Sequence, residues 1–180
     1  MHLKRSNYIS DNILTFGGYD NTRHLNSVEV HHNLGSSNNT TCQIQDLPKA
    51  TYSHSGVNTR LGIIYCGGIQ SSFSKDCYKL SAANESWVPF KPLKNSRRFF
   101  TMNEINDTLI AIGGFGGRTS FEHIDLKTGT EWKQKQLSFS IYTHCSVVVD
   151  EKTILITGGY SNSAVRNDNN ILLIPLRSHF

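Results

Sequence analysis

Four apolar runs along the chain end in the same way, with two glycines: ILTFGG (13–18), GIIYCGG (62–68), LIAIGG (109–114) and ILITGG (154–159). Their first glycines, Gly17, Gly67, Gly113 and Gly158, are spaced by 50, 46 and 45 residues, which is a repeat. Other features keep the same phase. Trp87 and Trp132 stand 26 residues before Gly113 and Gly158, and Cys42 stands 25 before Gly67. A leucine follows each by five or six places (Leu47, Leu93, Leu137), and the next doublet comes 20, 20 and 21 residues later. The surplus length of the first unit falls in HHNLGSSNNTT (31–41), a polar loop of the kind that surfaces tolerate.

Turn residues divide each unit into four short strands. In the second unit these are an inner strand near 52–57, the glycine-ended strand 61–66, a third near 76–81 and an outer one near 85–90. The third strands elsewhere read NSVEVH (26–31), FEHIDL (121–126) and NNILLI (169–174). Alternation in SVEV and EHIDL suits half-buried antiparallel strands, and no stretch holds a 3.6-residue apolar period, so helix is expected to be near absent. The doublets Gly17-Gly18, Gly67-Gly68, Gly113-Gly114 and Gly158-Gly159 are placed at tight corners, where positive φ and close backbone approach exclude a Cβ. Each Trp offers a plate to wedge between sheets, and Cys42 in its place predicts a looser contact in the first unit.

With 37% hydrophobic and 18% charged residues, the 180-residue chain is globular rather than disordered. The net charge of +4 is scattered, and its densest stretch (Lys91, Lys94, Arg97, Arg98) reads as a solvated rim, so no nucleic-acid partner is expected. No apolar run approaches the roughly 20 residues of a membrane-spanning helix. The start, MHLKRSNYIS, has no apolar stretch behind its basic residues and is not a signal peptide. Cys42, Cys66, Cys77 and Cys145 follow no CxxC or CxxH spacing, which speaks against structural zinc and leaves two disulfides or four buried thiols.

Apolar run, Gly-Gly, a Val/Ile-Glu/Asp-Val/Leu strand, Trp, then Leu near Pro or Arg: over about 11–176 this resembles the Kelch repeat family. More narrowly, SVEV…TTCQIQDLPKATYSHS…YCGG…DCYKL is similar to Kelch-repeat proteins of marine invertebrates, many of them secreted. The resemblance implies an all-β propeller arc of about three and a half four-stranded antiparallel blades, expected to belong to a larger propeller. Units start near 11, 61, 108 and 152, the last stopping before an outer strand; 1–10 is a polar segment offering an inner strand, and 177–180 a tail. An arc of this kind leaves apolar blade faces open at both ends, so self-association is expected.

Tyr52-x-His54 and Tyr142-x-His144 each place the His seven residues past the motif leucine, which predicts inner strands with Tyr and His on one face. With Cys145 nearby they resemble the copper site of galactose oxidase, a Kelch-propeller enzyme. The third equivalent position is Phe100, however, and His there reads as repeat consensus, so no metal or cofactor is expected. Cys66 and Cys77 flank one hairpin at positions equated with Phe16/Ser27 and Ile112/His123, where a disulfide is geometrically reasonable and free buried thiols are the alternative. Sequons occur at Asn38, Asn39, Asn84 and Asn106, a number expected by chance from the composition. No catalytic dyad, phosphate loop or metalloprotease helix is present, and the chain is read as non-enzymatic. FGGRTS (115–120) leads to a strand, and His31, His32 and His179 read as solvated.

The sequence reading is therefore an interaction module for a protein or glycan partner, with the substrate-binding propeller of a cullin-type ubiquitin ligase adaptor second and a galactose-oxidase-like fragment third. Loops 19–26, 69–75, 115–120 and 160–168 follow the doublets and share one face. Arg23, Phe73, Phe115, Arg118, Tyr160 and Arg166 are its expected anchors, because aromatic residues and Arg dominate hot spots. An extracellular setting is favoured over a cytoplasmic one if Cys66 and Cys77 are bridged.

Overall fold

The four doublet units fold as four antiparallel sheets in a computed structural model that describes residues 5–9, 12–31, 44–83, 85–161 and 172–175. Sheet one holds β1 (Arg5–Ile9), β2 (Asn12–Tyr19) and β3 (His24–His31). Sheet two holds β4 (Ser55–Thr59), β5 (Gly62–Cys66), β6 (Cys77–Ser81) and β7 (Ser86–Phe90). Sheet three holds β8 (Thr101–Ile105), β9 (Thr108–Ile112), β10 (Ser120–Asp125) and β11 (Lys133–Gln136). Sheet four holds β12 (Cys145–Asp150), β13 (Thr153–Thr157) and β14 (Leu172–Pro175). Strands within a sheet lie in chain order, and the inner strands β1, β4, β8 and β12 neighbour one another in that order, as blades of a propeller do. No helix occurs among the described residues; Cys42 and the outer strand expected around it lie outside them.

Alternation along the glycine strands builds the core. Leu14 and Phe16 of β2 pack with Ile63 and Tyr65 of β5; Ile64 and Cys66 turn the other way, onto Leu109 and Ala111 of β9; Ile110 and Ile112 then meet Ile154 and Ile156 of β13. Each of β5 and β9 is thus buried on both faces, which is why these runs read as continuously apolar. The tryptophans do wedge between sheets: Trp87 Nε1 donates to the Gln45 carbonyl at 3.0 Å and Trp132 Nε1 to the Lys91 carbonyl at 2.8 Å. Gln45 and Lys91 each stand two residues before the motif leucine, so the polar tip of the plate is satisfied identically in both units.

The doublets seal the junctions. The N–H groups of Gly18, Gly68 and Gly114 donate to the carbonyls of Thr51, Arg97 and Ile141 in the following unit, at 2.8, 2.8 and 2.9 Å. A Cβ on Gly17, Gly67 or Gly113 would stand 2.8, 2.5 and 2.5 Å from those same oxygens, and each φ is near +60°. In sheet one the doublet sits inside β2 rather than past its end, because β3 extends to His24 and pairs beyond a bulge at Phe16/Gly18.

Three expectations are corrected. The cross-strand partners equivalent to Cys66/Cys77 are Phe16/Val28 and Ile112/Phe121, not Phe16/Ser27 and Ile112/His123, since the bulge and unequal loops shift the count. The basic cluster is a solvated rim only in its lysines: Lys91 and Lys94 are exposed, whereas Arg97 is fully buried and Arg98 half-buried. Inner strands start at Ser55, Thr101 and Cys145, beyond the Tyr-His segments, because Ser53, Phe99 and Thr143 take left-handed φ of 57, 54 and 55°.

Candidate partner-binding face

The left-handed residue at the entrance of each inner strand decides where its neighbours point. It turns Tyr52, Arg98 and Tyr142 away from the strand, while His54, Phe100 and His144 enter the core. Backbone bonds tie these turns together, from Phe99 N to Ser53 O at 3.0 Å and from Thr143 N to Phe99 O at 2.8 Å. Tyr and His of each pair are therefore not presented on one strand face. His54 stacks on Phe16 at 5.3 Å between ring centres, and His144 Nε2 lies 2.9 Å from Thr101 Oγ1. Among the described residues no three His, Cys, Asp or Glu side chains converge as metal ligands would.

The outward members bridge to the residue just after a doublet: Tyr52 pairs with Ile69, Arg98 with Phe115 and Tyr142 with Tyr160. This lays the side chains in a continuous ribbon. The Arg98 guanidinium lies 4.2 Å from the Phe73 ring centre and 4.8 Å from that of Phe115. Arg118 covers Phe115 at 3.8 Å and Tyr142 at 5.1 Å. Phe115 and Tyr142 are 4.4 Å apart, and Tyr142 stacks on Tyr160 at 5.5 Å with the planes 22° apart. At the other end, Tyr19, His24 and Tyr52 form a second aromatic group, with Tyr19 5.4 Å from Tyr52.

Of the anchors expected from sequence, Phe73, Phe115, Arg118 and Tyr160 share this ribbon, and Phe73 and Tyr160 remain 45% and 43% exposed. Arg23 stands apart, its Nε 3.5 Å from Asp20. Asp20 also accepts from Thr22 Oγ1 at 2.6 Å and from the Thr22 and Arg23 amides, and these bonds hold its carboxyl well below the usual range. Arg166 lies outside the described residues. Arg98, Tyr142 and Tyr52 were missed as face residues; the signal was their shared place two residues before the buried His or Phe.

Chain similarity agrees with this geometry. No family model matches the chain. It is 27% identical over 94% of its length to Kelch repeat and BTB domain-containing protein 1 of Horsepox virus. To the proteins of the same name from Vaccinia virus (strain Copenhagen) and Cowpox virus (strain Brighton Red) it is 28% identical over 88% and 92%. The four units are Kelch-type repeats. The chain spans only about 30% of the length of these relatives.

Proposed function

We propose that this Kelch array is a non-catalytic protein-interaction module and that the ribbon Phe73–Arg98–Phe115–Arg118–Tyr142–Tyr160 is where its partner sits. The observation that carries this is the ribbon itself: aromatic plates and guanidinium groups from three units, on loops held by rigid sheets. The chemistry suits a protein segment that sets apolar side chains against Phe73 and Tyr160 and an acidic group beside the guanidinium groups. Affinity capture with the whole chain tests it. A partner held by the native chain is expected to be lost with Arg98→Ala and Tyr160→Ala and kept with Lys152→Ala at a distant turn. Equal retention by all three, or binding to immobilised glycans alone, refutes the reading.

A second reading, the substrate-binding propeller of a cullin-type adaptor, is supported by the BTB domain in the relatives' names. A copper-oxidase reading draws no support from the Tyr-His pairs, which point apart. An extracellular setting is supported by the Cys66–Cys77 disulfide, because such bonds persist in oxidising compartments. Of the sequons, Asn106 donates its side-chain amide to the Glu151 carbonyl at 2.7 Å, while Asn38, Asn39 and Asn84 lie outside the described residues.

A further inference from the structure

We infer that Arg97 is a positioning residue for the partner-binding ribbon: its buried guanidinium fills the inside of loop 115–120 and so fixes where Phe115 and Arg118 stand. The inference rests on the ribbon reading above and names what holds the ribbon's centre. Arg97 stands four residues past Leu93, as Thr51 and Ile141 stand past Leu47 and Leu137. All three give their carbonyls to the second glycine of a doublet, so the backbone is alike and only the side chain differs. Thr51 Oγ1 donates to the Gly67 carbonyl at 3.4 Å, and Ile141 has no donor to offer. Arg97 reaches further. Its Nη1 donates to the carbonyls of Gly113, Gly117 and Ser120, and its Nη2 to Ser120 Oγ at 2.8 Å. Those carbonyls run from the first glycine of the doublet, through the middle of the loop, to the first residue of β10. One planar fork with fixed donor directions thus sets both ends of the loop and its middle.

The segment FGGRTS (115–120) is explained by this side chain. A Cβ on Gly116 would collide with the Ser96 carbonyl oxygen, and one on Gly117 with Arg97 Nη1; Gly116 also takes a φ of +96°. The two glycines let the loop close on the guanidinium, and the residues on either side of them face outward. Phe115 exchanges both backbone bonds with Arg98, at 2.9 and 3.1 Å, and Arg118 lays its guanidinium on the Phe115 ring. Arg98 and Tyr142 meet that same ring, so the ribbon's centre passes through a loop shaped from inside by Arg97. Glu122 holds the fork in turn, its Oε1 accepting from Arg97 Nε and Nη2, each at 3.1 Å. Loop 69–75, which has Thr51 in place of an arginine, is closed by other means: the Cys66–Cys77 bond and the Ile69–Phe73 bridge.

Arg97→Lys keeps a cation beside Glu122 and gives up the fork. In a proton–nitrogen correlation spectrum of the whole native chain, the Arg118 Nε–H signal should lie upfield of the ordinary arginine position, because the Phe115 ring shields it. In Arg97→Lys it should move back toward that position, while the methyl signals of Leu14 and Ile154, in other junctions, stay in place. Gly117→Ala, which puts a methyl where the guanidinium passes, should move the same signal, and it serves where Arg97→Lys does not fold. Retention of the protein that the native chain captures should fall roughly tenfold with either variant, the effect of giving up one desolvated cation–π contact. The double variant should lose no more than the single ones, since both release the same contact. An Arg118 signal unmoved in both variants overturns the inference, as do losses that add in the double variant. Capture lost with Arg118→Ala but kept with Arg97→Lys overturns it too, and leaves the ribbon reading standing. Capture that survives Arg98→Ala and Tyr160→Ala as well would overturn the ribbon reading and this inference with it.

Discussion

Arg97 and Glu122, neither with any solvent exposure, meet at 3.1 Å within the junction of sheets two and three. The pair is closed on all sides. Arg97 also donates to the carbonyls of Gly113, Gly117 and Ser120 at 2.7, 3.0 and 3.1 Å. Glu122 accepts from the amides of Lys94 and Asn95 at 2.6 and 3.0 Å. Burial pulls the guanidinium pKa down and the adjacent carboxylate pulls it back. Removing one member leaves a buried charge without its counter-ion. Arg97→Met should therefore cost about 3–5 kcal/mol in urea unfolding, and Arg97→Met/Glu122→Leu should recover part of that loss. A double variant as unstable as the single one would show that the lost carbonyl bonds dominate instead.

The limits of the sequence show at this same arginine. Doublet spacing, Trp phase and the leucines made sheet order and core legible, because a repeat preserves whatever every junction needs. Arg97 and Arg98 are chemically identical neighbours within one basic stretch, yet just ahead of the chain turn at Phe99 one goes inward and the other onto the ribbon. That turn occurs at Ser53, Phe99 and Thr143, none of them glycine, so residue type gave no warning of positive φ. For the same reason the Tyr-His pairs read as strand when they are not. The places of the ribbon residues on the doublet loops were legible because those loops follow the glycines; those at the strand entrances were not.

Gly113 and Gly158 separate backbone strain from steric contact. Their φ values, +62° and +67°, are nearly equal, so alanine incurs a similar left-handed cost of about 1–2 kcal/mol at either. Only at Gly113 would the methyl also stand 2.5 Å from the Ile141 carbonyl oxygen, while at Gly158 it enters open space. Gly113→Ala should thus lower the thermal midpoint clearly more than Gly158→Ala under conditions where the chain is monomeric. Equal effects would mean that the carbonyl yields and the junction is looser than it is drawn.

His123 supplies a pH dependence. It is 6% exposed, and burial, then the nearby Lys135 and Lys133, push its pKa below the ordinary 6.5. The unfolded chain therefore binds a proton that the folded chain resists. Its contribution to stability is full above 6.5 and is lost as pH falls from there through the lowered folded value. In a series of urea titrations, the native chain should lose stability relative to His123→Gln across that window, with the two curves parallel above it. A difference that stays constant with pH removes the histidine from the account.

The disulfide can be divided into its covalent and packing parts. Cys66 and Cys77 face each other directly across β5 and β6, are 0% and 2% exposed, and are bonded. Their counterparts Phe16/Val28 and Ile112/Phe121 are ordinary apolar pairs, so this position asks first for hydrophobic volume and only here for a bond. The sequence separation is 11, and closing a loop of that size contributes about 3 kcal/mol in the chain-entropy treatment. Cys66→Val/Cys77→Val keeps the volume and should lose about that amount; Cys66→Ala/Cys77→Ala should lose more, because a cavity is added. The closed loop also carries Ile69 and Phe73, held by the Ile69–Phe73 bridge and by Ser74 N donating to Gly68 O at 3.0 Å. Opening its base should loosen Phe73 against Arg98, so the valine variant is expected to weaken partner capture while leaving far-UV circular dichroism unchanged. Native material from its source, digested without reduction, should yield the linked Cys66–Cys77 peptide. Its absence, or a valine variant as stable as the parent, would remove the covalent part and leave two packed thiols doing what Ile112 and Phe121 do one sheet further on.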